Sequence, residues 1–221
     1  AAGGVLGLVL FVLVVIPHYA TAEAYAIRDF TAVERVLSQL RILPLHLGQM
    51  LLPLPASMTF YYDDFAASTS LLQPWTTLVG GLLLAGLLVL AWCLRRRAPL
   101  AALGIFWFFA AHAITSNVIA LELVFEHRNY FALLGVLLVL AEGVRRLPTR
   151  DGPGIKLVAV AAVIALLGFL GTVRSAMWGE RLLLATELVA LNPQSARAAH
   201  ELGVLYYEMA DGSSDSPFFS F

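Results

Sequence analysis

Charge is what this chain has least of: Asp, Glu, Lys and Arg make up 13% of its 221 residues, roughly half the share found in ordinary soluble domains. A surface wetted on all sides needs more than that, so water is not the main solvent. The 14 basic residues are balanced by 15 acidic ones, which leaves no broad basic face and excludes a nucleic-acid partner. Cysteine occurs once, at Cys93 in an apolar run, so neither a disulfide framework within one chain nor a Cys-based metal motif is possible. The chain opens on Ala-Ala-Gly-Gly, without the basic n-region and small-residue cleavage site of a signal peptide. Together with a repeat pattern that covers barely one unit, this leads us to expect a piece of a longer protein.

What is abundant is apolar surface: 60% of the residues are hydrophobic and the mean hydropathy is +0.82. A hydrocarbon core about 30 Å thick takes about 20 residues of helix, fewer where interfacial residues complete the span. Five stretches qualify, at about 4–16, 77–94, 100–114, 130–144 and 155–173. Arg95, Arg96, Arg97, Arg145, Arg146, Arg150 and Lys156 fall in the loops joining the second span to the third and the fourth to the fifth. Alternating spans put both loops on one side, which the retention of Lys and Arg in short loops makes the cytoplasm. Segment 19–76, loop 115–129 and the tail after Arg174 are then extracytoplasmic. The expected fold is all-α: a polytopic transmembrane helix bundle of about five spans plus an interfacial helix over 1–173, the start of a helical repeat domain over 174–210, and an irregular tail over 211–221.

Residues 30–52 place Val33, Val36, Leu37, Leu40, Leu43, Leu47 and Leu51 near helical spacing, with Glu34, Arg35, Gln39 and Arg41 between them. This predicts an amphipathic helix lying at or re-entering the membrane interface, kinked or divided at Pro44. An irregular loop through Pro53, Pro55 and Tyr61-Tyr62-Asp63-Asp64 follows. A sixth span over 42–54 is the alternative, and it is short for crossing. In the tail, 178–191 and 195–209 read as two helices broken by Asn192-Pro193.

Among groups that could carry chemistry, Glu126-His127-Arg128-Asn129-Tyr130 stands out, because charges beside an apolar span are expensive unless solvated, paired or used. Arg128 can hold a phosphate bidentately, His127 can donate to an anionic oxygen and Glu126 can orient either. Otherwise Glu126 and Arg128 neutralise one another while Tyr130 anchors the interface. Arg35 and Arg41 belong to a second set with Arg28, Asp29 and Glu34. They either converge on the same ligand across a bend at Pro44 or form a solvated face. Asp63 and Asp64 are weak candidates for a divalent cation, since adjacent side chains diverge on most backbones. His112 is a lone histidine in an apolar stretch, and Glu142 lies within reach of Arg145 and Arg146.

The run Asn192-Pro193-Gln194-Ser195 followed by Leu202-Gly203 and Tyr206 resembles the junction of tetratricopeptide repeats. The resemblance implies that Pro193 closes the first helix, Gly203 lets the two approach, and Leu202 and Tyr206 fill the gap around it. The order of parts also carries a resemblance: Arg-Val-Leu and Leu-Leu-Pro-Leu-Pro, a Tyr-Asp-Asp loop, an apolar hairpin around Arg95–Arg97, Glu126-His127-Arg128-Asn129-Tyr130, and a junction at Trp178. In this order the chain is similar to the bacterial relatives of the transmembrane and tetratricopeptide-repeat O-mannosyltransferases, which have a GT-C type membrane fold. The resemblance implies an inner (cytoplasmic) membrane protein of a bacterium, with its repeats on the periplasmic side. It would transfer sugar from a polyprenyl-phosphate donor to an extracytoplasmic acceptor. His127 and Arg128, with Glu126, Tyr130, Arg35 and Arg41, are expected near the lipid phosphate, and the repeats would present a protein acceptor or partner. In such enzymes the catalytic acid lies in a first loop upstream of the residues present here, so no catalytic residue is assigned and no further cofactor is implied. A noncatalytic membrane scaffold docking partners through its repeats, and an O-antigen ligase or polymerase, are the competing readings.

Overall fold

A computed structural model describes residues 13–14, 16–54, 59–147 and 153–210. The expected span at 4–16, Pro55, Arg150 and the tail 211–221 lie wholly or mostly outside these. All regular structure among the described residues is helical. The chain divides into two compact units, one of Ala1–Pro53 with Phe65–Arg146, the other of Leu54–Asp64 with Leu147–Phe221.

Among the described residues the first unit holds four long helices, besides the short turns Ile16–Tyr19 and Glu126–Arg128. Helix α1 (Ala32–Leu51) starts at a reciprocal cap: the Thr31 hydroxyl accepts from the Glu34 amide at 3.2 Å and the Glu34 carboxylate accepts from the Thr31 amide at 2.8 Å. Contrary to expectation, α1 runs through Pro44 undivided. Proline removes the donor that would have met the Leu40 carbonyl, and α2 (Thr76–Leu94) brings Gly80 against that carbonyl so closely that a Cβ would collide with it. The neighbouring helix therefore covers the gap, and no break is needed.

Polarity in α1 is inverted relative to a soluble helix. Arg35, Ser38, Gln39, His46 and Gln49 are buried together with Ile42 and Leu43, whereas Val33, Val36 and Leu51 are exposed. Of the set expected to form a solvated face, Arg35 is turned inward, whereas Asp29 is exposed and Arg28, Glu34 and Arg41 are half-buried. Helices α3 (Pro99–Ala113) and α4 (Asn129–Arg146) cross at Gly104 and Gly135, where a side chain on either would strike the backbone of the other. Close backbone approach at small residues is how helices pack when lipid removes the hydrophobic drive between them. Leu43, Leu84, Phe108, Ala111, Ala132 and Val136 form the apolar core. At the end of α4, Glu142 is buried and accepts from Arg145 at 2.8 Å and Arg146 at 2.6 Å, the pairing its spacing foretold.

In the second unit, α5 (Pro153–Trp178) precedes α6 (Arg181–Leu191) and α7 (Ala196–Met209). Ser195 caps α7 by accepting from the Ala198 amide at 3.1 Å. The α6/α7 pair buries Ala185, Leu188 and Ala198. Gly203 was expected in that contact, and here the structure corrects the sequence: it is exposed, and a Cβ added to it meets nothing within 4 Å. Leu202 and Tyr206 are half-buried and Pro193 is exposed.

Among the described residues, two helices are long and apolar enough to cross a membrane, Thr76–Leu94 and Lys156–Trp178. Neither is an ordinary buried core helix: 22% of the first window and 0% of the second are buried. Helix α3 has 15 residues, and α4 carries Glu142, Arg145 and Arg146, so length and composition alone do not make spans of them.

Candidate functional site

The loop between α3 and α4 exposes a series of backbone carbonyls, and α1, the residues before it and Arg128 supply the donors for them. Arg35, fully buried, donates to the carbonyls of Thr115 at 2.9 Å, Asn117 at 2.9 Å, Glu122 at 3.0 Å and Leu121. Arg28 donates to Ala120 O at 3.1 Å, Arg128 to Glu122 O at 2.8 Å, and the Tyr25 hydroxyl to Val118 O at 2.6 Å. Asn117 closes the turn from within, donating to the carbonyls of Ala113 and Ile114 and accepting from the Ile119 amide. Side chains thus replace the ladder partners that an irregular segment lacks.

This wound loop forms one wall of a cavity of about 640 Å³. Arg28, Thr115, Glu122, His127 and Arg128 supply its polar lining, while Ile114, Leu121, Phe125 and Phe131 are prominent on the apolar side. The Glu126–Arg128 turn leads into α4 and sets His127 edge-on to Phe125, with ring centroids 4.1 Å apart. Tyr130 stands at the cavity with 81% of its surface exposed. Burial, and after it the nearby Arg128, lower the Arg35 guanidinium to about 10. Burial also lowers Arg128, with Glu122 pulling it back up. Both stay charged at neutral pH. Arg28, Arg35 and Arg128 each donate to main-chain carbonyls of the loop, and the Glu122 carboxylate lines the same cavity.

The expected ligand set is therefore divided. His127, Arg128 and Tyr130 are brought to one cavity, whereas Glu126 sits in the adjoining turn outside its lining. Arg35 is committed to the loop and acts on the cavity only through it. Arg41 is elsewhere, donating to Ala66 O at 2.9 Å and lying 4.6 Å over the Phe65 ring. Arg28 was seen in the sequence only as one of a charged set; what gives it a place at the cavity is its bond to Ala120, 92 positions away.

Beside the cavity, a buried polar layer joins three helices. His46 Nδ1 lies 3.1 Å from Gln49 Oε1 and 3.2 Å from Asn129 Nδ2, and its ring stacks on His112 at 5.7 Å and 5°. His112 rests edge-on against Phe108 rather than bonding a neighbouring helix.

Asp63 and Asp64, the candidate metal pair, are engaged by protein donors. Asp63 accepts from Ser195 Oγ and Arg197 Nε, both at 2.7 Å, and Asp64 accepts from Asn192 Nδ2 at 2.9 Å. Among the described residues no three His, Cys, Asp or Glu side chains gather in a way that could hold a metal ion.

Fold and site together define an all-helical protein with outward-facing apolar helices and a cationic, apolar-walled cavity. The chain matches no protein-family model, no curated protein and no solved structure.

Proposed function

We propose that the cavity binds the phosphate of a polyprenyl-linked sugar, and that the chain is the C-terminal part of a membrane glycosyltransferase-like protein acting on an extracytoplasmic acceptor. One observation carries the reading: Arg28, Arg35 and Arg128 converge on a single loop beside an apolar wall, where Arg28, Arg128 and His127 outnumber the one carboxylate, Glu122, in the lining. A cation-rich pocket with an apolar flank suits an anionic amphiphile better than a soluble metabolite. Its headgroup meets charge where partial dehydration strengthens a charge-assisted hydrogen bond, and its chain stays on the apolar side. Arg28, Arg128 and His127 would hold the phosphate, with Arg35 positioning the wall.

The same reading extends to topology. Five spans, with Arg95–Arg97 and Lys156 facing the cytoplasm and the cavity and repeats facing the periplasm, place residues 126–130 at headgroup depth in the inner membrane. The α6/α7 pair would begin a tetratricopeptide-repeat domain that meets the acceptor protein.

The test is sugar transfer from a radiolabelled lipid-linked donor, and donor binding measured in parallel, in membranes of the intact protein at matched protein levels. Arg128→Ala should weaken binding about 10- to 100-fold, the worth of one charge-assisted hydrogen bond. Arg128→Lys should fall short of wild type too, because it keeps the charge and loses the planar fork. Wild-type binding in both variants sinks the reading, whereas binding that needs Arg128 without any transfer favours the scaffold alternative.

A further inference from the structure

The densest polar contact in the second unit involves neither the cavity nor a helix core. Residues 60–64 lie against the α6/α7 junction, irregular at Tyr61-Tyr62 and turning at Asp63-Asp64. Asn192 Nδ2 donates to the Tyr61 carbonyl at 3.2 Å and to Asp64 Oδ1 at 2.9 Å. Ser195 Oγ and Arg197 Nε donate to Asp63, both at 2.7 Å. The Tyr61 hydroxyl donates to Glu201 Oε1 at 2.9 Å, its ring lies 4.9 Å under the Arg197 guanidinium, and Phe60 meets Trp178 edge-on at 5.8 Å.

The junction is built to donate before the segment arrives. Asn192 Oδ1 accepts from the Gln194 amide at 3.2 Å, which turns its Nδ2 outward. Ser195 Oγ accepts from the Ala198 amide at 3.1 Å, which leaves its hydroxyl proton for a ligand. With the segment in place Asn192 and Ser195 are 5% and 2% exposed, and it is the bonds to the Gln194 and Ala198 amides that orient them from within the turn. With Arg197 they form a row of donors that complements a row of acceptors, one of them a main-chain carbonyl. Main-chain capture, a carboxylate and an aromatic ring under a guanidinium are the elements of peptide recognition.

The segment's aromatic residues are only partly covered, Phe60 at 37% exposed and Tyr61 and Tyr62 half-buried, and the Arg197–Asp63 pair leaves the two side chains 47% and 22% exposed. Ion pairs partly open to water contribute about 0–1 kcal/mol, so the contact can open and exchange.

We infer that the Asn192–Glu201 face is a recognition site for aromatic–acidic peptide segments that turn at the carboxylate, with the chain's own residues 60–64 as its resident ligand. A partner protein presenting an aromatic residue followed two positions later by a carboxylate would compete for it.

The experiment uses the full chain in lipid nanodiscs and a fluorescein-labelled peptide carrying residues 59–65, followed by polarisation. In Tyr61→Ala/Asp63→Ala protein, where the resident segment loses its grip, the peptide should bind saturably. Binding should be at least tenfold weaker to wild type, whose own segment competes at an effective concentration on the order of millimolar. It should be lost when Arg197→Glu is added, or when the peptide carries Asp63→Asn. Hydrogen exchange of the α7 amides verifies that each variant is folded. Should a variant unfold, the charge-swapped protein Asp63→Arg/Arg197→Glu replaces it, with the matching Asp63→Arg peptide expected to compete there and the native peptide not. No saturable binding up to millimolar peptide, or binding indifferent to Arg197, overturns the inference and reduces the contact to a fixed strap.

Discussion

Helices α1 and α7 are both amphipathic and carry their polar residues on opposite sides of the problem. In α7, Ala198 is inside while Arg197, His200, Glu201 and Glu208 face outward. In α1, Arg35, Gln39, His46 and Gln49 are inside while Val33 and Val36 face outward. Helical spacing reveals that two faces differ; the surrounding solvent decides which of them is buried. For α7 the outside is water. For α1, packed beside the long apolar α2, an apolar outside is tolerable and the polar face serves the protein, where Arg35 organises a loop that has no ladder of its own.

The contrast is broken most severely by filling the close helix crossings of the first unit. Gly80→Leu would drive a side chain into the Leu40 carbonyl, and Gly104→Leu into the Gly135 backbone. Each should destabilise by about 3 kcal/mol or more, the upper end for overpacking where backbone must shift. Thermal unfolding in detergent or nanodiscs reads this directly, and wild-type melting in both would refute the packing described for α1 to α4.

Removing the inner charge of α1 comes next. Arg35→Met keeps the volume and strips the donors from the carbonyls of Thr115, Asn117, Leu121 and Glu122. The expected loss is about 2–3 kcal/mol, the scale of buried acceptors left unpaired, with faster hydrogen exchange across 115–122. Slow exchange there in the variant would show that the loop holds its shape unaided.

A smaller effect separates the second unit by pH. At Asp63, partial burial pulls the carboxyl upward, but hydrogen bonds from Arg197 and Ser195, with the Arg197 charge, outweigh it and hold the group below the ordinary carboxylate range. A lowered folded value means the stabilisation is complete above the unfolded value near 4 and is lost as pH falls through the folded one. Residues 59–64 should therefore loosen in acid ahead of α1 to α4, and more readily at high salt because Arg197 is half-exposed. Protease accessibility of the Tyr61-Tyr62 bond between pH 5 and 2 measures it, and unchanged accessibility across that range argues against the contact.

The smallest expected effect is at Gly203, an open position inside α7, where Leu should leave stability unchanged or raise it by up to about 1 kcal/mol through helix propensity. A substantial loss would reveal a neighbour beyond the described residues, of the kind a following repeat would provide.

Element positions were largely legible in the sequence, because the signals that start and stop helices are local. Pro99 opens α3, Asn192-Pro193 ends α6, Ser195 caps α7, and the apolar run after Thr76 stops at Arg95. Pro44 misled for a physical reason: its effect depends on Gly80, a residue on another helix. The site was half legible. Glu126 to Tyr130 attracts attention by composition, and three of its residues reach the cavity. The acceptors of Arg35 are main-chain carbonyls, which have no sequence signature, and the donors to Asp63 lie more than 130 positions away. Long-range polar pairing of that kind leaves no periodicity to read.

Helix α5 has a different consequence. It runs for 26 residues, and its candidate crossing from Lys156 to Trp178 has none of its most apolar window buried. Where no side chain fits against a neighbour, selection can act on length and oiliness and little else. Its sequence should drift freely among Leu, Val, Ile, Ala and Phe across generations while Gly80, Gly104 and Gly135 stay fixed. A block replacement of 157–172 by an unrelated apolar sequence of equal length should be tolerated in the living cell.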